Sequence, residues 1–120
     1  MSKYIDGFVL PLPKDKLEQY KVLATKAAAI WKEYGALEYI EAAGDDLAVQ
    51  EMTSFPTIAG ASQEETVVMA YIVYESREHR DAVNAKVMAD PRLQEMCNKD
   101  NPLFDFKRMA FGGFKVIVEG

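Results

Sequence analysis

The chain has 120 residues, one cysteine and a formal net charge of −5, from 19 acidic and 14 basic side chains. This length predicts one domain over residues 1–120 that needs neither a disulfide nor a metal to fold, and a lone thiol is typical of the cytoplasm. The negative charge disfavours nucleic acid and anionic membranes as partners. No apolar run reaches the roughly 20 residues that cross a bilayer. The first residues lack the apolar core of a signal peptide.

The first two predicted elements are a strand and a long helix. Residues 4–10, YIDGFVL, are aromatic and β-branched, and Pro11 and Pro13 are expected to end this strand. From about Lys14, apolar residues recur every three or four positions, as the buried face of an amphipathic helix requires. Gly35 is expected to end that helix.

A second strand and a long connection follow. Residues 36–42, ALEYIEA, alternate between apolar and polar side chains, which predicts a half-exposed strand at an edge of a sheet. Residues 47–65 have weak periodicity and several acidic side chains. Because so long a connection is unusual in a compact domain, this segment is predicted to be a lid or to contain short local structure.

The next segment is apolar on both faces. Residues 66–74, TVVMAYIVY, are therefore predicted to form a central strand that is buried on both sides. Ser76 is a good N-cap for a second helix, which is expected to run to about Ala89. Asp90 as a cap and Pro91 in the first helical position predict a further short turn of helix.

The last strand completes a recognisable order of elements. A loop over residues 99–107 leads to a strand over residues 109–118, where Gly112 and Gly113 predict a bulge or the close approach of another backbone. The order β-α-β-β-α-β is the split βαβ, ferredoxin-like arrangement, an α+β fold. It predicts a four-stranded antiparallel sheet with two helices on one face and the first and third strands in the centre.

The apolar content of the central strand bears on the oligomeric state. Two helices cover only one face of the sheet, so the other face would expose a larger apolar patch than monomers normally have. A homodimer that packs sheet against sheet, a dimeric α+β barrel, removes this exposure. The alternative is a monomer in which residues 47–65 fold over the sheet.

Short strings spread over nearly the whole chain carry a resemblance to a known family. They are YIDGFV (4–9), GALE (35–38), TSFP (53–56), ETVV (65–68), YESR (74–77), RDAVNAKVM (80–88), DPR (90–92) and KRMAFGGF (107–114). Together they resemble the YbaA-like family, a bacterial domain of unknown function. The resemblance implies the dimeric α+β-barrel superfamily, which includes cofactor-free monooxygenases, haem-degrading enzymes and stress-response dimers, and it implies no established activity.

One position departs from the family pattern. Phe106 stands where the family has glycine, within the string Phe104-Asp105-Phe106-Lys107-Arg108. Glycine tolerates a positive φ and phenylalanine does not. The loop before the last strand is therefore expected to differ in geometry from that of the family.

The most polar cluster lies on the second helix and the segments after it. Arg77, Asp81, Asn84 and Met88 share a face at helical spacing, and paired arginines bind carboxylate or phosphate groups in a bidentate manner. One structural alternative to a binding site is a surface ion pair between Arg77 and Asp81. Another is that the side chains of Asn84 and Asp105 connect loops to helices. The candidate binding residues here are Arg77, Arg80, Asn84, Asp105, Lys107 and Arg108.

Several single residues could also carry function. Tyr39 and Tyr71 are candidates for lining a pocket, because a buried hydroxyl needs a hydrogen bond, although core packing is the alternative. The only histidine, His79, is a candidate general base but is expected to be solvated. Cys97 is expected to pack rather than to react. The sequence contains no metal-ligand cluster and no nucleotide motif, so no metal or cofactor is predicted.

Three hypotheses about function remain open. The first is a cytoplasmic homodimer that binds a small, partly apolar molecule, with an anionic group on that molecule as an option. The second is a cofactor-free monooxygenase-type enzyme that uses interior polar side chains such as Asn84 and Tyr71. The third is a structural or stress-response dimer without a ligand. RNA binding is disfavoured because the third strand lacks a basic, glycine-containing signature.

Overall fold

A four-stranded antiparallel sheet organises the structure, a computed structural model that describes residues 2–96, 103 and 105–120. The strands follow the order β2-β3-β1-β4, so the first and third strands are central, as predicted. This confirms the ferredoxin-like α+β fold. The elements are β1 (Tyr4–Pro13), α1 (Leu17–Glu33), β2 (Glu38–Ala43), α2 (Phe55–Ala59), β3 (Glu65–Tyr74), α3 (Arg77–Met88), α4 (Pro91–Met96) and β4 (Ala110–Lys115), with single 3-10 turns at Lys14–Lys16 and Phe106–Arg108.

One face of the sheet packs against α1 and α3 and contains most of the core. Side chains alternate between the two faces of a strand, and the even-numbered residues of β1 and β3 point toward the helices. Trp31, Tyr34 and Met96 pack against this core from its edges. The buried residues form two clusters, with Ile30, Ala36, Ile72, Tyr74, Val83, Val87 and Leu93 in one and Leu10, Leu12, Tyr20 and Val68 in the other.

The first strand is longer than predicted, because β1 continues through Pro11 and Pro13. The amide of Lys14 donates to Glu64 O at 3.0 Å, on the β3 side. Because amides alternate in direction along a strand, positions 11 and 13 face away from β3, on the side where pairing with β4 ends at Val9. Proline lacks an N–H group, but at these positions no ladder hydrogen bond is lost.

The glycines of the last strand do not form a bulge. Pairing between β1 and β4 is continuous through Gly112 and Gly113, so the prediction of a bulge was wrong. The alternative prediction was the close approach of another backbone, but the close neighbours of Gly113 are side chains. A Cβ at Gly113 would overlap the Tyr4 hydroxyl and the Arg80 guanidinium group, so glycine leaves the space that these groups occupy.

The long connection between β2 and β3 contains the short helix α2. The Ser54 hydroxyl caps it by accepting a hydrogen bond from Thr57 N, and Gly60, in the left-handed conformation, ends it. Contacts of α2 with β1 and β3, together with the burial of Pro11 and Val67, indicate that α2 covers one end of the sheet face opposite α1 and α3. The segment therefore holds local structure, one of the two options predicted for it.

The rest of that face, which we call the open face, carries several exposed apolar side chains. Ile40 is 41% exposed, Met69 44% and Phe114 62%. Tyr71 lies among them, paired with Gly7 on β1. The connection between β2 and β3 thus covers only part of the sheet. No helix in the described ranges has both the length and the apolar content to cross a membrane.

Candidate functional site

A cavity of about 140 Å³ lies between α1 and the helix-covered face of the sheet; we call it the α1 cavity. Ala24 and Ala27 on the buried side of α1 and Ala70 on β3 line it, and their small side chains leave the space open. Trp31 and Phe106 contribute aromatic walls. Most of the described lining residues are apolar.

A carboxylate with two phenols forms the polar part of this lining; we call Tyr20, Tyr39 and Glu41 the Glu41 group. The Tyr39 hydroxyl donates to Glu41 Oε2 at 2.6 Å, and the Tyr20 hydroxyl donates to Glu41 Oε1. Burial, followed by the nearby Glu41 carboxylate, raises the pKa of Tyr39 above its ordinary value of 10. Burial, followed by the hydrogen bond to Glu41, also raises the pKa of Tyr20 above its ordinary value. Both phenols are therefore protonated donors at neutral pH.

Tyr39 was predicted from the sequence as a pocket-lining residue, whereas its partners Tyr20 and Glu41 were not. Tyr39 and Glu41 are two residues apart on β2, so they share a face, and this spacing was available as a signal. Tyr20 belongs to the apolar side of α1, and its contact with Glu41 depends on how α1 packs on the sheet. No local pattern gives that packing.

A second polar cluster, the Asp6 network, lies beneath α3. Asp6 is only 1% exposed, and its Oδ2 accepts a hydrogen bond from Asn84 Nδ2 at 3.2 Å. Asn84 Oδ1 in turn accepts from Trp31 Nε1 at 3.1 Å and from the Tyr74 hydroxyl at 3.0 Å. Arg80 Nε lies 3.2 Å from Asp6 Oδ1. The network thus joins β1, β3, α1 and α3 around one buried carboxylate.

Arg80 makes further contacts at the edge of this network, although its Nε and Asp6 Oδ1 do not meet hydrogen-bond geometry. Its guanidinium group lies over the Tyr4 ring, 4.9 Å from the centroid, and Nη2 donates to the Tyr4 hydroxyl at 3.2 Å. Nη1 pairs with Asp81 at 2.9 Å. The structure therefore brings Arg80 and Asn84 together as predicted, but around Asp6, which the sequence analysis did not single out. One structural alternative was an ion pair between Arg77 and Asp81, but Asp81 pairs with Arg80 instead.

Arg77 lies on the surface beside the network. With Ser2, Ser76 and Lys115 it lines a groove of about 680 Å³ next to Tyr4. This groove is separate from the α1 cavity, because the two share no lining residue among those described.

Lys107 and Arg108 lie at the other end of the sheet. Arg108 binds Glu65 with two hydrogen bonds of 2.9 Å and the Gly60 carbonyl with one of 2.6 Å. Arg80 contacts the start of β1, whereas Glu65 pairs with its last residue, about 30 Å away at 3.3 Å per residue. The expected single cluster of Arg77, Arg80, Lys107 and Arg108 is therefore not assembled, because β1 separates its two halves.

Asp105 and Phe106 have local roles in the turn before β4. The Asp105 carboxylate accepts a hydrogen bond from Lys107 N at 2.9 Å and caps this turn. Phe106 does not have a positive φ; in the described part of the chain Glu51 is the only residue other than glycine that does. Phenylalanine is thus compatible with the 3-10 geometry here, and its ring lines the α1 cavity.

The Glu65–Arg108 pair predicts a specific acid sensitivity. The hydrogen bond from Arg108, followed by that from the Ser62 backbone, lowers the pKa of Glu65 from its ordinary 4.5 to about 2. A depressed folded-state pKa contributes stability above the unfolded-state value, and that contribution is lost as the pH falls from 4.5 through about 2. The urea midpoint of the wild type is expected to fall across this window, and that of Glu65→Gln to fall less.

Glu64→Gln provides the matched control, since Glu64 is an exposed neighbour and should keep the wild-type profile. Some acid sensitivity should persist in Glu65→Gln, because a hydrogen bond from Arg92 also holds the pKa of Asp90 below its ordinary range. Parallel profiles for the wild type and Glu65→Gln between pH 4.5 and about 2 would show that this ion pair does not stabilise the fold.

The remaining candidates are spread over different parts of the molecule. Tyr71 lies on the open face, so the sheet separates it from Asn84, and the two do not converge within one subunit as the monooxygenase hypothesis required. His79 is half-buried instead of solvated: its Nδ1 accepts from Glu75 N at 3.0 Å, and its ring meets Tyr74 edge-on. Cys97 lies outside the described residues. No group of three metal-ligating side chains occurs within the described ranges.

Comparisons with known proteins support the fold and name no ligand. Residues 3–106 match a family model described as "Protein of unknown function (DUF1428)". The chain is 43% identical over 117 residues to the uncharacterized protein YbaA of Escherichia coli strain K12 and to that of Shigella flexneri, with 98% of both chains covered. A crystal structure of a dimeric ferredoxin-like protein from an uncultured marine organism superimposes over 100% of both chains, with a TM-score of 0.58 and 13% identity.

Proposed function

The chain belongs to the DUF1428 family of proteins of unknown function, and we propose that it is a homodimer in which each subunit binds one small, largely apolar molecule in the α1 cavity. The observation that carries this proposal is an apolar cavity in which the Glu41 group is the one polar group among the described lining residues. Such a combination of apolar lining and a few placed polar atoms is what orients a ligand in a binding site.

The size of the cavity supports a compact ligand. An engineered apolar cavity of about 150 Å³ binds benzene, so 140 Å³ suits a molecule with one six-membered ring.

The charge around the cavity argues against the anionic ligand that the sequence suggested. That suggestion depended on Arg77, Arg80, Lys107 and Arg108, none of which is among the described residues that line the cavity. Among the described lining residues the charged side chain is Glu41, which would repel a carboxylate or phosphate group. We therefore propose that the ligand carries no negative charge.

The open face supports the homodimer. Its exposed apolar side chains, among them Ile40, Met69 and Phe114, lie on strands in the middle and at both edges of the sheet. In a symmetric dimer, the open faces of two copies would bury these side chains against each other in a single interface. The solved structure with the same fold is itself described as dimeric, which makes this arrangement a natural proposal here.

We propose no partner beyond a second copy and the small molecule. The net charge of −5 opposes binding to polyanions such as RNA. The cytoplasm is the compartment that we propose, on the basis of the single cysteine.

A cavity-filling substitution tests the binding proposal. In Ala27→Leu the new side chain occupies the α1 cavity, so toluene should bind at least about tenfold more weakly than to the wild type, a difference of about 1.4 kcal/mol. Chemical-shift changes in ¹H–¹⁵N spectra during a toluene titration measure the affinity. The melting temperature should stay the same or rise, because filling a cavity restores packing.

Ala29→Leu is the matched control, since Ala29 is an exposed residue of the same helix. This variant should bind toluene like the wild type. If toluene leaves the wild-type spectrum unchanged, or binds Ala27→Leu equally well, the α1 cavity is not a binding site and the proposal is wrong.

A further inference from the structure

We infer that the ligand of the α1 cavity is a small organic ammonium ion, an inference that rests on the proposed function. Two features of the cavity lead to this class of molecule. One is a negatively charged hydrogen-bond acceptor, the Glu41 carboxylate, and the other is a set of aromatic walls.

The Glu41 carboxylate has capacity for a further donor. A carboxylate offers about four acceptor positions, and the Tyr20 and Tyr39 hydroxyls use one on each oxygen. Glu41 is the only charged side chain among the described lining residues, and none of the ion pairs found in the described ranges involves it. A bound ammonium group would supply the missing positive charge and form a charge-assisted hydrogen bond.

The two phenols select for a cation instead of a neutral acceptor. Each donates its proton to Glu41, so in this arrangement neither donor is directed at a ligand. A ligand carbonyl or carboxylate would therefore face acceptors on all three members of the Glu41 group. A ligand N–H group, in contrast, finds an acceptor in the Glu41 carboxylate.

The aromatic walls favour the same class. Trp31 and Tyr39 pack against each other with ring centroids 5.8 Å apart, and Phe8 and Phe106 also line the cavity. The negatively polarised face of an aromatic ring attracts an ammonium group, and this attraction grows when the cation leaves water. An ammonium ion would lose hydration on entry, and the carboxylate together with the rings offsets that loss.

Four ligands of nearly equal size test the inference: benzylamine, benzyl alcohol, toluene and benzoate. On the wild type, benzylamine should bind at least about tenfold more tightly than benzyl alcohol or toluene, the difference expected for one charge-assisted hydrogen bond, and benzoate should bind weakest. Dissociation constants come from ¹H–¹⁵N NMR titrations at constant ionic strength. This comparison needs no variant, so it does not depend on whether a variant folds.

Glu41→Gln then assigns the effect to the carboxylate. Glutamine keeps the size and an acceptor for one phenol but removes the charge, so affinity for benzylamine should fall at least about tenfold, and affinity for toluene should change less than about twofold. If benzylamine, benzyl alcohol and toluene bind the wild type equally well, or Glu41→Gln binds benzylamine like the wild type, the ammonium inference is wrong and the proposed function stands. If none of the four ligands binds the wild type, the proposed function itself is wrong.

Discussion

Replacing Arg80 with methionine is expected to lower the free energy of unfolding by about 3–5 kcal/mol, the range found when one partner of a buried ion pair is removed. Asp6 is 1% exposed, so without Arg80 its Oδ1 would remain buried and uncompensated. Methionine keeps much of the arginine stem, so lost charge and hydrogen bonding cause most of the effect. Urea denaturation at a fixed protein concentration measures it.

Two further variants separate this mechanism from a general effect on α3. Arg77→Met changes an exposed arginine on the same helix and should alter stability by less than about 0.5 kcal/mol. The double variant Asp6→Asn with Arg80→Met should be more stable than Arg80→Met alone, because the buried charge is then absent. A loss below about 1 kcal/mol for Arg80→Met, or no recovery in the double variant, would contradict the role that we assign to the Asp6 network.

The second large effect concerns the dimer. Met69 lies on the open face of a central strand and is 44% exposed, so lysine at this position should be tolerated within one subunit. In a dimer joined through the open faces, Met69→Lys would place an unpaired charge in the interface of both subunits. We expect the dimer dissociation constant to rise at least about 100-fold, which is about 2.8 kcal/mol. Sedimentation equilibrium measures this constant.

Met88→Lys is the matched control for the dimer test. Met88 is 55% exposed at the end of α3, away from the open face, and the same chemical change there should leave the dimer intact. Circular dichroism spectra should show that both variants keep the fold. A wild-type monomer, or a Met69→Lys dimer as tight as the wild type, would contradict the proposed interface.

The order of the elements was predictable because local patterns encode it. Ser76 caps α3 and Gly35, with φ of 114°, ends the turn after α1, and both signals depend on neighbouring residues only. The extent of β1 was not predictable in the same way. Proline ends a strand only where its missing N–H group is needed, and that depends on where β4 stops pairing.

The candidate site depended on contacts between distant residues, and the sequence analysis recovered it only in part. Asp6 was not among the functional residues predicted from the sequence, and its burial makes sense only once Arg80 and Asn84, more than 70 positions away, are placed beside it. Conversely, Lys107 and Arg108 looked like additions to the same basic cluster. Antiparallel pairing of β4 with β1 places them at the opposite end of the sheet.

A crystal structure of the protein with toluene tests the central claim most directly, that the α1 cavity binds a small apolar molecule. We expect electron density for one ring in each subunit, between Ala27 on α1 and Ala70 on β3 and beside the Glu41 group. An empty cavity in crystals that hold toluene only at the surface or between molecules would contradict it.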